Sequence, residues 1–290
     1  MTRRTLLELL TAAKLARGFR LAVCNETFQT ADFGEQCRLA RKTGYSGIEI
    51  MPGTLAEDPA SIPASRRAQL RKTMDAEGLA FAGLHNLLSA PKGLHAATAD
   101  AAVYRRTWDY MLRLIDFCAD LGGGVMVFGG AKQRAAEKGE TPAGAVARLT
   151  EGFARVAPHA RGSGVLLLVE PLAPHICNVV NTLEQAIAIV RQIGSPAVQS
   201  MFDVHHTAAE TLSAGELVAR YFPYLRHVHL NEMDGKRPGL GNYDMKPLFR
   251  AMAQRGYAGW LSLEVFDFKP DGETVAAEAN AYIRSELAKA

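Results

Sequence analysis

From about residue 19 to the C-terminus, short apolar runs alternate with helix-forming stretches, and no other feature constrains the fold as strongly. The expected strands are Phe19–Asn25, Gly47–Met51, Leu79–His85, Gly124–Gly129, Val165–Val169, Val198–Phe202, Leu225–Val228 and Trp260–Leu263. The expected helices are Phe33–Lys42, Ala64–Glu77, Thr98–Leu121, Pro142–Arg161, Thr182–Ile193, Ala214–Tyr221, Met245–Arg255 and Thr274–Leu287. In the helix from Thr98, residues Trp108, Met111, Leu112, Ile115 and Cys118 fall on one face, as a core-facing stripe requires. Glycines at 44, 78, 194 and 256 close four of the helices.

Strands of this length separated by helices point to parallel βαβ units, because parallel neighbours need a crossover connection. Eight such units in 290 residues fit a single-domain α/β fold, the (β/α)8 TIM barrel, over residues 19–290. A doubly wound sheet would want a glycine-rich phosphate loop after its first strand, and CNETFQTADFG contains none. Residues 1–18 read as an N-terminal helical extension, with Leu6, Leu7, Leu9, Leu10 and Leu15 on a short amphipathic helix. The twin arginine Arg3–Arg4 is faintly like a Tat export signal. Glu8 and Lys14 interrupt the apolar region behind it, so a cytoplasmic protein is expected.

A formal charge of +3 supports neither a nucleic-acid nor a membrane partner. Cys24, Cys37, Cys118 and Cys177 form no CxxC pair and read as reduced thiols, with Cys24 and Cys177 near strand ends but structural in role.

The chemistry sits at the ends of the last four expected strands: Glu170 in VLLLVEP, Asp203 in VQSMFDVHH, His229 in LRHVHLNE and Glu264 in GWLSLEVF. One carboxylate at a strand end is ordinary. Three carboxylates and an imidazole on four successive strands converge, in a barrel, on one mouth and read as one divalent-metal site. Oxygen ligands with a single imidazole suit Mn²⁺ best, with Mg²⁺ or Co²⁺ as alternatives, rather than a thiolate zinc site. His227 shares a strand face with His229, and the place of His229 in its motif favours it as the ligand. Of His205 and His206, strand alternation allows only one to face the pocket, and the spacing favours His206.

VEPL, FDVHH, HVHLNE followed by PGLGNYD, and LSLEVF together resemble the xylose-isomerase-like TIM-barrel superfamily of sugar phosphate isomerases and epimerases. Within it the chain is similar to ketose 3-epimerases of the D-tagatose/D-psicose type. The resemblance implies Glu170, Asp203, His229 and Glu264 as metal ligands, Glu170 and Glu264 as the catalytic acid and base, and His206 and Glu232 as substrate contacts. It also implies a small sugar as partner and a homo-oligomer, dimer or tetramer. Two positions depart from the epimerase pattern: Ile176 stands where a substrate-binding Glu is expected, and Gly235 where an Arg is expected, with Lys236 and Arg237 beside it. Glu49, His85, Lys236 and Arg134 are further candidate substrate contacts, the last as part of a Lys132–Gln133–Arg134 group able to hold an anionic substituent.

Removing a proton beside a carbonyl is too hard for a carboxylate alone at neutral pH, whereas a chelated cation stabilises the enediolate. The reading is therefore a metal-dependent sugar isomerase or epimerase acting on a ketose or keto-sugar, with or without a phosphate. The alternatives are a lyase or dehydratase working by β-elimination on keto-sugars or keto-glycosides, and a non-catalytic sugar-binding barrel. The related endonuclease IV group needs a zinc cluster with extra histidines, and the first half of this chain offers only His85 and His95.

Overall fold

The apolar runs become eight parallel strands that pair in chain order and close on themselves, β8 against β1. They are β1 Arg20–Cys24, β2 Gly47–Ile50, β3 Ala80–Leu84, β4 Gly124–Phe128, β5 Val165–Val169, β6 Val198–Asp203, β7 Leu225–Leu230 and β8 Trp260–Leu263. Each is followed by a helix: α1 Phe33–Lys42, α2 Ala64–Ala76, α3 Ala101–Leu121, α4 Pro142–Gly162, α5 Leu183–Ile193, α6 Ala214–Tyr221, α7 Lys246–Gln254 and α8 Gly272–Lys289. The computed structural model describes residues 18–30 and 32–290, so the expected N-terminal extension lies almost wholly outside the described residues. The architecture is a (β/α)8 TIM barrel.

Helix starts differ from expectation where a side chain caps the helix rather than joining it. Asp100 accepts from the Ala102 and Val103 amides, so α3 begins at Ala101 rather than Thr98. Thr182 accepts from the Gln185 amide ahead of α5, and Asp271 from the Thr274 amide ahead of α8, which starts two residues early. The residue after α5, Gly194, takes φ 66°, the left-handed geometry that ends a helix.

The main core lies between barrel and helices. Trp108 of α3 stacks on Phe128 of β4 at 6.0 Å and meets Phe153 of α4 edge-on at 5.3 Å. Gly152 permits this approach, since a Cβ there would fall 1.9 Å from the indole. A second, smaller apolar cluster of Val125, Val127, Leu168 and Met201 fills the barrel interior on the β4–β6 side. Strand alternation places Glu170 above Leu168 and Asp203 above Met201 on that inward face. On the β7, β8 and β1–β3 side the interior holds a small apolar cluster of Ala22, Ala82 and Trp260 together with the buried polar residues Glu49, His85, His227, His229 and Ser262. Among the described residues, no helix is long and apolar enough to cross a membrane.

Candidate metal centre and cavity

Glu170, Asp203, His229 and Glu264 meet at the C-terminal mouth, the end where barrel enzymes place their chemistry, with one donor atom from each within 4.8 Å of every other. The His229 Nδ1 atom is the hub: it lies 3.1 Å from Glu264 Oε2 and 3.6 Å from both Glu170 Oε1 and Asp203 Oδ2. Glu170 Oε1, Asp203 Oδ2 and His229 Nδ1 are buried without hydrogen-bond partners. Buried polar atoms are normally satisfied, so three orphaned donor atoms aimed at one point fit a cation. Gly129, at the end of β4, makes room for this cluster: a Cβ there would sit 1.7 Å from Glu170 Oε2. Sequence reasoning missed it, and its only signal was the paired glycine of VFGGA.

Beneath the hub, Glu49 receives Nε2–H of His227 at 2.7 Å and of His229 at 3.1 Å. A carboxylate accepts only, so Nε2 of His229 carries hydrogen and Nδ1 of the neutral ring is left to coordinate. Burial opposes charge on Glu49, but the two histidines hold it well below the carboxylate range. Burial likewise pulls His229 down, yet Glu264 and Glu49 outweigh it and push that imidazole well above its ordinary value. Burial raises both Glu170 and Glu264, with Asp203 adding to each rise. His85 donates Nε2–H to Glu26 across 2.6 Å, and Glu26 and the carboxylates nearby overcome its burial to raise it to about 9.

The cluster opens into a cavity of about 500 Å³ lined by His85, Asn86, Gln133, Glu170, His206 and Glu264, among others. His206 accepts the Ala173 amide at Nδ1, 3.3 Å, which leaves Nε2–H facing Asp203 and the cavity. Burial holds this ring below its ordinary value, so it is neutral at pH 7.

Several expectations need correction. Both His205 and His206 line the cavity, because β6 ends at Asp203 and the chain turns before strand alternation separates them. Glu49 does not line the cavity: both its oxygens are taken by histidines and it is wholly buried. Glu232 is spent on the following turn, accepting the Gly239 amide at 2.8 Å and the Tyr243 amide at 3.1 Å. Lys236 reaches outward to Asp234 at 2.6 Å. Arg134 is fully buried, donates to the Phe128 carbonyl at 2.8 Å and does not line the cavity, although Lys132 and Gln133 do. His227, the other candidate of its pair, lies one layer below the hub. Cys24, Cys37, Cys118 and Cys177 are free and buried, and neither Cys24 nor Cys177 lines the cavity.

The profile of the family described as "Xylose isomerase-like TIM barrel" matches residues 37–286. The chain belongs to that family. Relatives within or beside it include a ketose 3-epimerase of Arthrobacter globiformis, 29% identical over 85% of this chain and 89% of the relative. A fructoselysine 3-epimerase of Shigella flexneri is 26% identical over 79% of this chain and 83% of its own. Among solved structures, a D-psicose 3-epimerase crystallised in the presence of D-fructose superimposes with a TM-score of 0.81 over 93% of this chain and 100% of its own, at 22% identity. At that identity the likeness speaks for the shared barrel alone.

Within this xylose isomerase-like barrel, Glu49 makes a testable claim. Glu49→Gln offers one acceptor to two buried N–H donors and turns its amide hydrogens on the other, so His229 loses its fixed tautomer. We expect Mn²⁺ affinity to drop by roughly 10–100-fold by titration calorimetry, in line with other partners that orient a metal-binding histidine. Affinity within about threefold of wild type would mean that Glu49 does not hold His229 in place.

Proposed function

We propose that the protein is a divalent-metal-dependent epimerase or isomerase of ketoses or keto-sugars, working through an enediolate. One observation carries the reading: three orphaned buried donor atoms and the Glu264 carboxylate share one point at the barrel mouth, in a chain whose relatives are ketose 3-epimerases. Glu170, Asp203, His229 and Glu264 would hold the cation, Mn²⁺ by the donor set, with Mg²⁺ or Co²⁺ as substitutes. When bound, the cation supplies Lewis acidity that makes the carbon next to the carbonyl acidic enough to give up its proton.

The protein's own groups then do the rest. Glu170 and Glu264 directly follow β5 and β8 and would approach the substrate from different sides, one removing the proton and the other returning it to the opposite face. Without the cation, burial raises both carboxyls; a bound cation would oppose that rise while acidifying the substrate. His206, neutral and with Nε2–H free, donates to a substrate hydroxyl or to the developing enediolate oxygen. Asp203 is held in register by the His205 amide on Oδ1, at 2.8 Å. The proposal extends to the cytoplasm, on the reduced thiols, and to a homo-oligomer, on resemblance.

The test is proton exchange in D₂O. The protein is stripped with chelator, reloaded with Mn²⁺, Mg²⁺ or Co²⁺, and given ketoses, keto-glycosides and their phosphates. We expect metal-dependent deuterium uptake at the carbon beside the carbonyl, read by mass spectrometry, with an epimer as product. An eliminated fragment in place of the epimer would assign the site to a lyase. No exchange with any of these substrates and metals would leave a binding barrel.

A further inference from the structure

Glu264 belongs to two groups of converging donor atoms, and the catalytic reading uses only the first. The second group is Glu26, His85 and Glu264, again with one donor atom from each within 4.8 Å of every other. It draws on a different part of the barrel: Glu26 stands in the turn Asn25–Phe28 after β1, and His85 directly follows β3. The His85 and His229 rings meet edge-on with centroids 6.0 Å apart. That is close enough for each imidazole to serve one cation of a pair sharing a carboxylate, since such cations stand about 3.5–4 Å apart.

The second group is held as firmly as the first. The Asn25 side chain fixes the turn that carries Glu26, donating to Gln36 at 2.9 Å and Thr54 at 2.8 Å and accepting the Met51 amide at 2.8 Å. The His85 amide donates to the Ile50 carbonyl at 3.1 Å. His85 is buried, and its Nε2–H on Glu26 Oε1, at 2.6 Å, accounts for one Glu26 oxygen. The other, Oε2, is buried with no hydrogen-bond partner. Glu26 and Glu264 thus bring carboxylate oxygens close together, a repulsive arrangement unless something positive lies between them. Glu49, Glu170 and Asp203 crowd the same end of the barrel, and one divalent cation at the His229 hub offsets only two of these charges. His85 and Glu264 both line the cavity, which gives a second ion a path in.

We infer that Glu26, His85 and Glu264 form a second, weaker site for a divalent cation such as Mn²⁺, and that filling it turns the catalytic site off. The binding stands on its own donors; the inhibition rests on the catalytic reading above. Two carboxylates and an imidazole supply three protein ligands where the hub supplies four, and the charge of the hub cation opposes a second ion. Both make this site the weaker one. The second ion replaces the hydrogen that His85 shares with Glu26. Glu264 then has one oxygen on each cation and none left to exchange a proton with the substrate. The first equivalent of metal therefore activates, and an excess inhibits.

Mn²⁺ titration of chelator-stripped protein, followed by calorimetry and electron paramagnetic resonance, tests the site without any substrate. We expect two ions per chain, the second bound more weakly by about tenfold or more. As it binds, the spectrum of an isolated ion should give way to that of a spin-coupled pair. Glu26→Gln should lose the second step and the coupled spectrum while keeping the first step, because its carbonyl oxygen still accepts Nε2–H of His85. A single ion per wild-type chain, or a second step that survives in Glu26→Gln, overturns the site. The activity arm follows exchange in D₂O against free Mn²⁺. Exchange should rise with the first step and fall by about a hundredfold as the second fills, in line with the loss of a positioned base, and Glu26→Gln should show no fall. Two bound ions with undiminished exchange overturn the inhibitory role. If the wild type binds two ions and the variant one, yet neither exchanges at any metal level, the catalytic reading fails and the second site stands.

Discussion

Glu264→Gln is expected to leave the barrel folded while lowering epimer interconversion by roughly 10³-fold or more, within the range lost when a positioned acid or base is removed. The fold survives because the charge being removed is only partly favourable. Glu264 gains from His229, 3.1 Å away, but it also repels the buried Glu170 and Asp203 beside it. Neutralising one of three clustered carboxylates relieves that repulsion while losing the attraction, so the melting temperature moves little. Activity has no such compensation. A carboxamide cannot accept the substrate proton at neutral pH, and Glu170, on β5, serves the other side of the substrate. The variant must be compared at equal metal occupancy, measured by elemental analysis, because Gln retains one neutral oxygen ligand. Turnover within about tenfold of wild type in metal-filled Glu264→Gln would remove Glu264 from the acid–base pair.

The barrel is legible in the sequence because each strand is a short apolar run bounded by helix caps. Val165–Val169 and Trp260–Leu263 are observed at the expected bounds. Val198 and Leu225 open their strands as expected, although β6 and β7 run on into Asp203 and Leu230, so two of the metal-site residues are themselves the last ladder positions. Convergence of Glu170, Asp203, His229 and Glu264 is legible for the same reason: parallel strands of a closed barrel all end on one face. The surrounding roles are not. Glu49, Glu170 and Glu232 look alike in sequence, each a carboxylate beside an apolar run. Only in three dimensions does Glu49 fall below two histidines and Glu232 under the amides of Gly239 and Tyr243. Arg134 and Lys132 are two residues apart in one polar loop, and the turn at Ala131–Gln133 buries one and exposes the other. Gly129 matters through an atom it lacks, which no residue pattern announces.

Mn²⁺ affinity should weaken by about tenfold for each unit that pH falls below neutrality, and the metal-loaded and metal-free proteins should respond to pH in opposite senses. The sign follows from His229. Its imidazole is pushed well above its ordinary value in the metal-free cluster, so it carries a proton at neutral pH. Coordination requires that Nδ1 be free, and each cation bound therefore displaces that proton. A group whose folded pKa is raised contributes stability below its unfolded pKa and loses it as pH rises through the folded value. The raised carboxyls of Glu170 and Glu264 act in the same direction at lower pH. The metal-free protein thus loses stability as pH rises, while the loaded protein gains, because proton competition fades and the cation takes over compensation of the three carboxylates. At a free concentration about a hundred times Kd, binding contributes about 2.7 kcal/mol, or a rise in Tm of roughly 5 °C or more. Between about pH 6 and 8 the gap in Tm between the two forms should widen, and calorimetry in buffers of different ionisation enthalpy should count about one proton released per Mn²⁺ near neutrality. A gap that stays constant or narrows, or a proton count of zero, would mean that His229 is already neutral in the metal-free cluster and that its close carboxylates do not hold its charge.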